Sequence, residues 1–302
     1  MRNALETQAL SYLYEDGTRA LDGISLQAER GKITGILGAN GAGKSTLFLN
    51  LNGVLTPSSG TVLLSGKPVS YARRDLPELR RQVGVVFQDP DDQLFSADVY
   101  RDVSFGAVNL GLPEEEVRRR VEWALERTGI SALRDKPTHA LSYGQKKRAA
   151  IAGVLVMGPS VMILDEPTAG LDPQGVSGIM RLLTELRDEL DVTILLATHD
   201  MDIVPLYCDY AYVLQGGRVA DEGRPGELFC RPEILRRNGL RLPRIAHLME
   251  VLARKDGLPV SPAAAAIGAA RREILRLLNK EETSRSKASC TAWGWAPEIR
   301  SC

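Results

Sequence analysis

Long apolar runs, secretion signals and paired cysteines are missing from this chain of 302 residues. The longest apolar stretches, such as residues 161–164 and 192–197, have the length of single strands, whereas about 20 apolar residues are needed to cross a bilayer. The N-terminus has no apolar secretion segment, and the 4 cysteines show neither paired nor CxxC spacing. We therefore expect a cytoplasmic, reduced protein that does not span a membrane.

An excess of charge of one sign is also missing. Lys and Arg (38) balance Asp and Glu (38), so the chain has no global basic field of the kind that nucleic-acid-binding proteins carry. The 3 histidines, His139, His199 and His247, are scattered without metal-ligand spacing. Nucleic acid is not expected as a partner, and no transition-metal site is expected.

What the chain does have is ordinary globular composition and one unbroken motif. Its 44% hydrophobic and 25% charged residues suit one large α/β domain with an appendage. Residues 38–45 read GANGAGKS, a complete GxxxxGKS loop between a strand pattern and a helical pattern that begins at Lys44. The glycines let successive backbone N–H groups converge on an anion, and the helix turns its positive end toward the same phosphates. A glycine-rich turn that binds nothing is a poor explanation of a complete match in this context.

This loop predicts a bound nucleotide with Mg²⁺. We expect Lys44 to reach the β- and γ-phosphates and the Ser45 hydroxyl to hold the metal ion. Further nucleotide contacts are expected from the remaining loop positions, Gly38, Asn40, Gly41, Gly43 and Thr46.

Polar residues follow two predicted buried strands. The apolar run at residues 161–164 ends in Asp165 and Glu166, and the run at 192–197 ends just before His199, which places all three at one edge of a parallel sheet. Alternating side-chain direction lets Asp165 face Mg²⁺ while Glu166 points toward the water that attacks the γ-phosphate. A lone histidine is more often structural, but the position of His199 favours a hydrogen bond to the γ-phosphate.

Three further motifs surround these strands. A buried run at residues 83–87 ends at Gln88, whose amide is well placed to touch ligand. Residues 141–145, LSYGQ, precede a predicted helix over residues 146–156, where free backbone N–H groups can bind an anion. Tyr14 lies at a strand end upstream of the phosphate loop. For Tyr14 the residues alone favour adenine stacking and an ordinary strand aromatic about equally.

In this order the motifs resemble the ATP-binding subunits of ABC transporters, over about residues 6–225. The motif that distinguishes the ABC class from other P-loop proteins is LSxGQ, here called the signature (residues 141–145), followed by an apolar strand that ends in Asp-Glu. Many ATPases and kinases share only the phosphate loop. The resemblance implies a catalytic carboxylate at Glu166, a switch histidine at His199, and Gln88 in catalysis. It implies metal contacts through Ser45, Gln88 and Asp165, and nucleotide contacts through Tyr14, Ser142, Gly144, Gln145 and Asp172.

The resemblance also implies a fold, namely an α/β P-loop nucleotide-binding domain of the ABC type. Its RecA-like core has a mixed sheet with an antiparallel β edge and carries a helical subdomain. We assign residues 1–225 to the domain and about 89–157 to its helical subdomain. Apolar residues at helical spacing predict a small helical C-terminal region over 226–280, and residues 281–302 are interpreted as a flexible tail.

Within the class, several segments narrow the resemblance. FQDPDDQLF at 87–95, TAGLD at 168–172, and Tyr143, where the general signature has glycine, look like energy-coupling-factor importers. MDIVP at 201–205 and LRLPR at 240–244 are similar to the cobalt-transport ATP-binding subunits. The implied function is an ATPase that powers import, with cobalt ions as the substrate. A nickel or vitamin importer is the alternative, followed by a soluble ABC ATPase outside transport.

The resemblance extends to partners. In this class the helix start carrying Ser142 and Gly144 completes the ATP site of the opposite subunit, which implies a homodimer, or a heterodimer with a related ATPase, at the cytoplasmic face of the cell membrane. A membrane-embedded coupling subunit and a substrate-binding subunit would be the other partners. We expect Gln88 and the segment after it to form the junction, with Asp91 and Asp92 in an acidic groove for arginines. A solvated acidic turn explains these two residues equally well.

Overall fold

The structure, a computed structural model, describes residues 2–292, with side chains up to residue 279. The strands run over Asn3–Leu13 (β1), Arg19–Glu29 (β2), Ile33–Leu37 (β3), Ser59–Leu64 (β4), Lys67–Pro68 (β5), Val83–Val86 (β6), Val161–Asp165 (β7), Thr193–Ala197 (β8), Tyr210–Gln215 (β9) and Arg218–Gly223 (β10). The helices run over Lys44–Leu51 (α1), Leu76–Gln82 (α2), Val99–Asn109 (α3), Glu114–Arg127 (α4), Tyr143–Leu155 (α5), Pro173–Leu190 (α6), Val204–Tyr207 (α7), Pro225–Leu228 (α8), Pro232–Arg237 (α9), Arg244–Arg254 (α10) and Ile267–Ala292 (α11).

The strands form two sheets. A 6-stranded sheet has the order β10-β9-β3-β8-β7-β6, and its strands are parallel except for β10, which pairs antiparallel with β9. The mixed sheet with an antiparallel edge is therefore confirmed. A second, 4-stranded antiparallel sheet has the order β2-β1-β4-β5.

The central parallel strands are apolar throughout because both of their faces are buried. In β7, Val161 and Ile163 pack in the cluster that includes the antiparallel sheet and α1. Met162 and Leu164 point the other way, into the cluster formed with α5 and α6. The same alternation holds in β8. Polar side chains are thereby restricted to the points where these strands end.

Helices α3, α4 and α5 form a separate apolar cluster, with Val103, Val121 and Ala149 among its buried members. Helix α5 also contributes Ile151 to the cluster beneath the parallel sheet, so it joins the helical region to the sheet. Three acidic residues, starting with Glu114, occupy the first turn of α4, where acid suits the helix dipole, as expected.

The C-terminal region packs against the far side of β9. Leu228, Leu235 and Ala246 share a buried cluster with Val213, and α10 packs with α11 in a further cluster. No helix among residues 2–292 is both long and apolar enough to cross a bilayer. The domain boundaries at residues 225 and 280 stay predictions.

Some element bounds differ from the expectation. Helix α5 begins at Tyr143 rather than at residue 146, because the Ser142 side chain caps it and brings the signature into its first turn. Strand β6 ends at Val86, one residue short of the expected run. Helix α11 continues to Ala292, through part of the segment interpreted as a tail, since no glycine or proline interrupts residues 269–293. Residues 293–302 of that segment lie outside the described residues.

Candidate functional site

The candidate site lies at the carboxyl ends of four parallel strands. The phosphate loop follows β3, His199 follows β8, and Gln88 follows β6. Asp165 is the last residue of β7, and Glu166 comes directly after it. In α/β sheets, ligands bind in the crevice outside these ends. A cavity of about 410 Å³ opens here. Among the candidate residues, those that line it are Tyr14, Asn40, Gly41, Gly43, Lys44, Ser45, Thr46, Gln88, Asp165 and Glu166.

Two glycines of the phosphate loop are required by close backbone approach. A Cβ on Gly38 would lie 2.7 Å from the carbonyl oxygen of Leu214, on β9. Gly43 has φ +105°, and a Cβ there would lie 2.7 Å from the carbonyl oxygen of Ala20. The loop is thus wedged between β2 and β9, and its glycines let the backbone approach both.

Lys44 and Ser45 begin α1 and face the cavity. The Lys44 ammonium donates to the carbonyls of Gly38 (2.7 Å) and Ala39 (3.2 Å), so it lies inside the curve of the loop. The Ser45 hydroxyl donates to the carboxylate of Asp165 at 2.7 Å. These two residues come from different strand ends, and the structure brings them into contact as a metal site requires.

The oxygen donors fit Mg²⁺. One hydroxyl and one carboxylate are hard ligands of the kind Mg²⁺ accepts, and this ion is usually held by one or two protein groups together with substrate phosphates. No cluster of three or more His, Cys, Asp or Glu side chains that could hold a metal ion by itself occurs among the residues that the structure describes. A metal ion here would therefore depend on the nucleotide for its remaining ligands.

Glu166 is buried, with 5% of its surface exposed, next to an exposed histidine. Its Oε2 lies 2.9 Å from Nδ1 of His199 and accepts from the His199 backbone N–H at 3.3 Å. Strand alternation, from which the direction of the Glu166 side chain was predicted, is the wrong reason for it. Strand β7 ends at Asp165, and Glu166 has φ +47°, so a left-handed residue and not strand alternation turns the carboxylate.

The segment after β6 is held by side chains from its own loop and from α5. Gln93 accepts from the Phe87 N–H (3.1 Å) and donates to the carbonyl of Ala150 (3.2 Å). The Gln88 carbonyl accepts from the buried Lys147, while its own side chain is exposed toward the cavity. Asp91 pairs with Lys146 at 2.6 Å.

The signature residues lie away from the phosphate loop. Ser142 and Gln145 form a capping box at the start of α5, with the Gln145 amide oxygen accepting from the Ser142 N–H at 3.0 Å. Ser142 is exposed and Gly144 half-buried. Neither these two nor Gln145 lines the cavity around the phosphate loop in the described part of the chain. The signature surface therefore lies outside the cavity that the phosphate loop forms.

Asp172 follows residues 168–171, which lie against Tyr143 and Gly144 and line a cavity together with His199. Asp172 caps α6 by accepting from the Gly175 N–H at 2.6 Å. The ring of Tyr143 packs against Gly170 so closely that a Cβ there would lie 2.9 Å from it. Burial, followed by the nearby Asp89 and Asp91, raises the pKa of Tyr143 above its ordinary value, so it stays neutral.

Several residues at the site were not found from the sequence. Thr18, Ala20 and Gly217 line the cavity, and the Gly217 N–H donates to the carbonyl of Ala42 in the phosphate loop at 3.1 Å. They reach the loop by tertiary packing, for which no local pattern exists. Lys147 lies in a basic run after the signature and was not singled out. If the helix is taken to begin directly after Ser142, its periodicity places Lys147 on the buried face.

Two motifs that lie far apart in the sequence contact each other. In Met201–Pro205 the carboxylate of Asp202 accepts from the Arg244 backbone N–H at 2.7 Å and lies 3.4 Å from Nε of Arg244 in the LRLPR segment. Arg241 and Arg244 line a second cavity together with His199. The C-terminal region is thereby fixed beside His199.

Comparison with known proteins agrees with this geometry. The model of the family described as "ABC transporter" matches residues 21–169. The energy-coupling factor transporter ATP-binding protein EcfA3 of Clostridium perfringens is 59% identical over 276 residues, which are 91% of this chain and 97% of that protein. EcfA of Methanocaldococcus jannaschii is 50% identical over 92% of this chain and 99% of its own length.

Solved structures give the same result. CbiO1 of Clostridium perfringens, described as part of the ABC transporter complex cbiONQ, is 61% identical with a TM-score of 0.72, over 83% of this chain and 100% of that one. The ATP-binding cassette MJ0796, solved as a dimer in a post-hydrolysis state with ADP and Pi, is 25% identical with a TM-score of 0.66, over 73% and 98%. The ABC-type P-loop fold is confirmed.

Tyr14 provides a test of the nucleotide-facing side of the cavity. Its ring is 37% exposed, packs edge-on against Tyr12 at 4.9 Å, and its hydroxyl lies 3.0 Å from that of Thr46. Stacking of a base on an aromatic ring contributes about 1–3 kcal/mol. We predict that Tyr14→Ala weakens ATP binding about 10-fold, by that stacking energy, whereas Tyr14→Phe keeps the ring and the affinity. Calorimetric titration with ATP measures both, and an unchanged affinity in the alanine variant would exclude stacking.

Proposed function

The chain belongs to the ATP-binding subunits of ABC transporters of the energy-coupling factor type, and from that premise we propose that the import it powers by hydrolysing ATP is that of cobalt ions. The motifs at 201–205 and 240–244, which resemble those of cobalt-transport subunits, support the substrate. The similarity to CbiO1, part of the complex cbiONQ, is consistent with it. The proposed location is the cytoplasmic face of the cell membrane, as a peripheral subunit.

One observation carries the chemistry, namely the arrangement of the two carboxylates at the end of β7. Asp165 contacts Ser45, whereas the buried Glu166 faces His199. Two adjacent acids thereby point to different partners. This division suits one carboxylate that serves the metal ion and another that serves the attacking water.

Each side chain then has a role in phosphoryl transfer. Lys44 and the N-terminal end of α1 bind the phosphates, and Ser45 with Asp165 would hold Mg²⁺. When bound, the metal ion would neutralise part of the phosphate charge. Glu166 would orient and polarise the attacking water, Gln88 would contact the metal ion and the water, and His199 would donate to the γ-phosphate. Catalysis of this kind relies on positioning and on electrostatic stabilisation, because the protein forms no covalent bond with the substrate.

The site needs a second chain to be complete. Ser142 and Gly144 form the end of a helix that no nucleotide bound at the chain's own phosphate loop would reach, since they do not line its cavity. A two-fold pair places each signature over the other chain's phosphate loop and creates two equivalent sites. We assign a homodimer as the simplest arrangement, with a heterodimer containing a related ATPase as the alternative.

A membrane subunit would dock beside Gln88. Phe95 and Phe105, which come after Gln88 in the chain, form an exposed edge-to-face pair with ring centroids 4.7 Å apart. Asp91 already has a partner in Lys146, whereas Asp92 is exposed and has no ion pair among residues 2–279. An apolar patch beside an unpaired acid fits a helix that presents apolar and arginine side chains. The substrate-binding subunit would join through that membrane subunit.

The proposed function is tested by cobalt uptake into vesicles that contain this chain with its co-purified membrane partners. We predict ATP-dependent uptake that disappears in Glu166→Gln, whose kcat for hydrolysis should fall about 100-fold or more because the water loses its general base. ATP affinity should be retained. Glu115→Gln, at an exposed acid of α4, is the matched control and should behave as the wild type.

Either half of the proposal can fail separately. Hydrolysis at the wild-type rate in Glu166→Gln would contradict the catalytic assignment. Hydrolysis that depends on Glu166 without any cobalt uptake would support the ATPase assignment and reject cobalt as the substrate. The same vesicles would then be tested with nickel and with vitamins.

Docking is tested by single substitutions in the acidic turn. We predict that Asp92→Asn weakens co-purification of the membrane subunit more than Asp91→Asn does, because only Asp92 is available for a new ion pair. Asp135→Asn, at an acid exposed elsewhere on the helical region, is the control. Pull-down yield at low and at physiological salt is the measurement, and equal recovery with all three variants would reject the acidic contribution.

A further inference from the structure

Lys147 is a charged residue that is fully buried, with 0% of its surface exposed. It lies in the second turn of α5, directly behind the catalytic edge of the sheet. Burying an ammonium is costly unless its hydrogen bonds are satisfied. The surroundings of this side chain therefore indicate what it is for.

Its ammonium joins two neighbouring strand ends. Nζ donates to the carbonyl of Gln88 at 2.5 Å and to the carbonyl of Glu166 at 3.2 Å. Gln88 follows β6 and Glu166 follows β7, which are adjacent in the sheet. One side chain of the signature helix thus bonds to both the proposed catalytic residue and the segment proposed to contact the membrane subunit.

The charge of Lys147 is balanced at a distance. No carboxylate lies within ion-pair range of it among residues 2–279. Burial lowers the pKa of Lys147, and the nearby Asp89, Asp165 and Glu166 oppose that shift. The ring of Tyr143, one turn earlier in α5, lies 5.6 Å from Nζ, and such a face attracts a cation. The aromatic residue in the signature therefore contributes to the environment of the buried lysine.

Glu166 needs such a contact because of its backbone. Its φ of +47° is uncommon for a residue with a side chain and persists only where the surroundings hold it. The Glu166 N–H donates to Ala197, and its carbonyl accepts from the Ala169 N–H at 3.1 Å as well as from Lys147. Of these contacts, only the one from Lys147 comes from a side chain, and that side chain is shared with Gln88.

We propose that Lys147 is a positioning residue that couples the Gln88 segment to the orientation of the Glu166 carboxylate. A shift of the Gln88 carbonyl changes where the ammonium lies, and the ammonium in turn sets the peptide that carries the carboxylate. The inference rests on the proposed catalytic role of Glu166. It gives the helix that carries the signature a direct connection to its own chain's active site.

A double-mutant cycle on the complex with the membrane subunits tests this coupling. Lys147→Met removes the donors at similar volume. Misplacement of a catalytic group by about 1 Å costs up to about 100-fold in rate, so we predict a kcat lowered about 10- to 100-fold with KM for ATP changed less than about 2-fold. In the Glu166→Gln background, measured in single-turnover reactions, the same substitution should change the residual rate less than about 2-fold, because residues that act as a unit are not additive. Arg118→Met, at an exposed cation of α4, is the control and should match the wild type in both backgrounds.

The outcomes separate this inference from the proposed function. Equal losses from Lys147→Met in both backgrounds, or a loss confined to KM, would reject positioning through Glu166 and leave a structural role. A wild-type rate in Glu166→Gln alone would instead reject the catalytic assignment. If the methionine variant does not fold, the same cycle with Lys147→Gln, whose polar side chain is one bond too short to reach both carbonyls, gives the same decision.

Discussion

The parallel order of four neighbouring strands determines where the candidate site lies. Strands β3, β8, β7 and β6 are buried on both faces, so their polar groups can appear only where they end. Parallel order brings those four ends to one edge. The phosphate loop, the histidine, the two carboxylates and the glutamine meet there although they lie far apart in the chain. The hydrogen bond from Ser45 to Asp165 joins the ends of β3 and β7 across the intervening β8.

Most of this edge could be predicted from the sequence, because it depends on local patterns. An apolar run of strand length that ends in a polar residue predicts a buried strand and its exit, and GANGAGKS specifies its loop geometry by its glycines. Both Ser45 and Asp165 were assigned to the metal ion from the sequence, and the structure brings them into contact. What could not be predicted depends on exact phase. A helix start misplaced by three residues, at 146 rather than at Tyr143, hides the fact that Tyr143 and Lys147 lie one turn apart and that Lys147 faces inward. In the same way, extending strand alternation past Asp165 gave the wrong reason for the direction of Glu166, whose backbone is left-handed.

Contacts made across the tertiary fold were beyond any local pattern. Gly217 supports the phosphate loop from a hairpin at the other end of the domain, and Asp202 holds the start of α10. Each contact involves a backbone group, which carries no sequence signal of its own. The resemblance to a family supplied the roles of the site residues, whereas the structure supplied how each is held.

If each ATP site is built from two chains, two inactive variants should complement each other in a mixed dimer. Lys44→Ala removes the phosphate contact of one chain, and Ser142→Arg blocks the signature surface of the other. Mixed dimers would contain one site with both defects and one site with neither, so about a quarter of the sites should be active after random exchange of a homodimer. We predict that two preparations without ATPase activity regain activity when they are mixed and allowed to exchange. A mixture that stays inactive while exchange of subunits is verified would show that each chain forms its site alone, and would rule out a site shared between two chains.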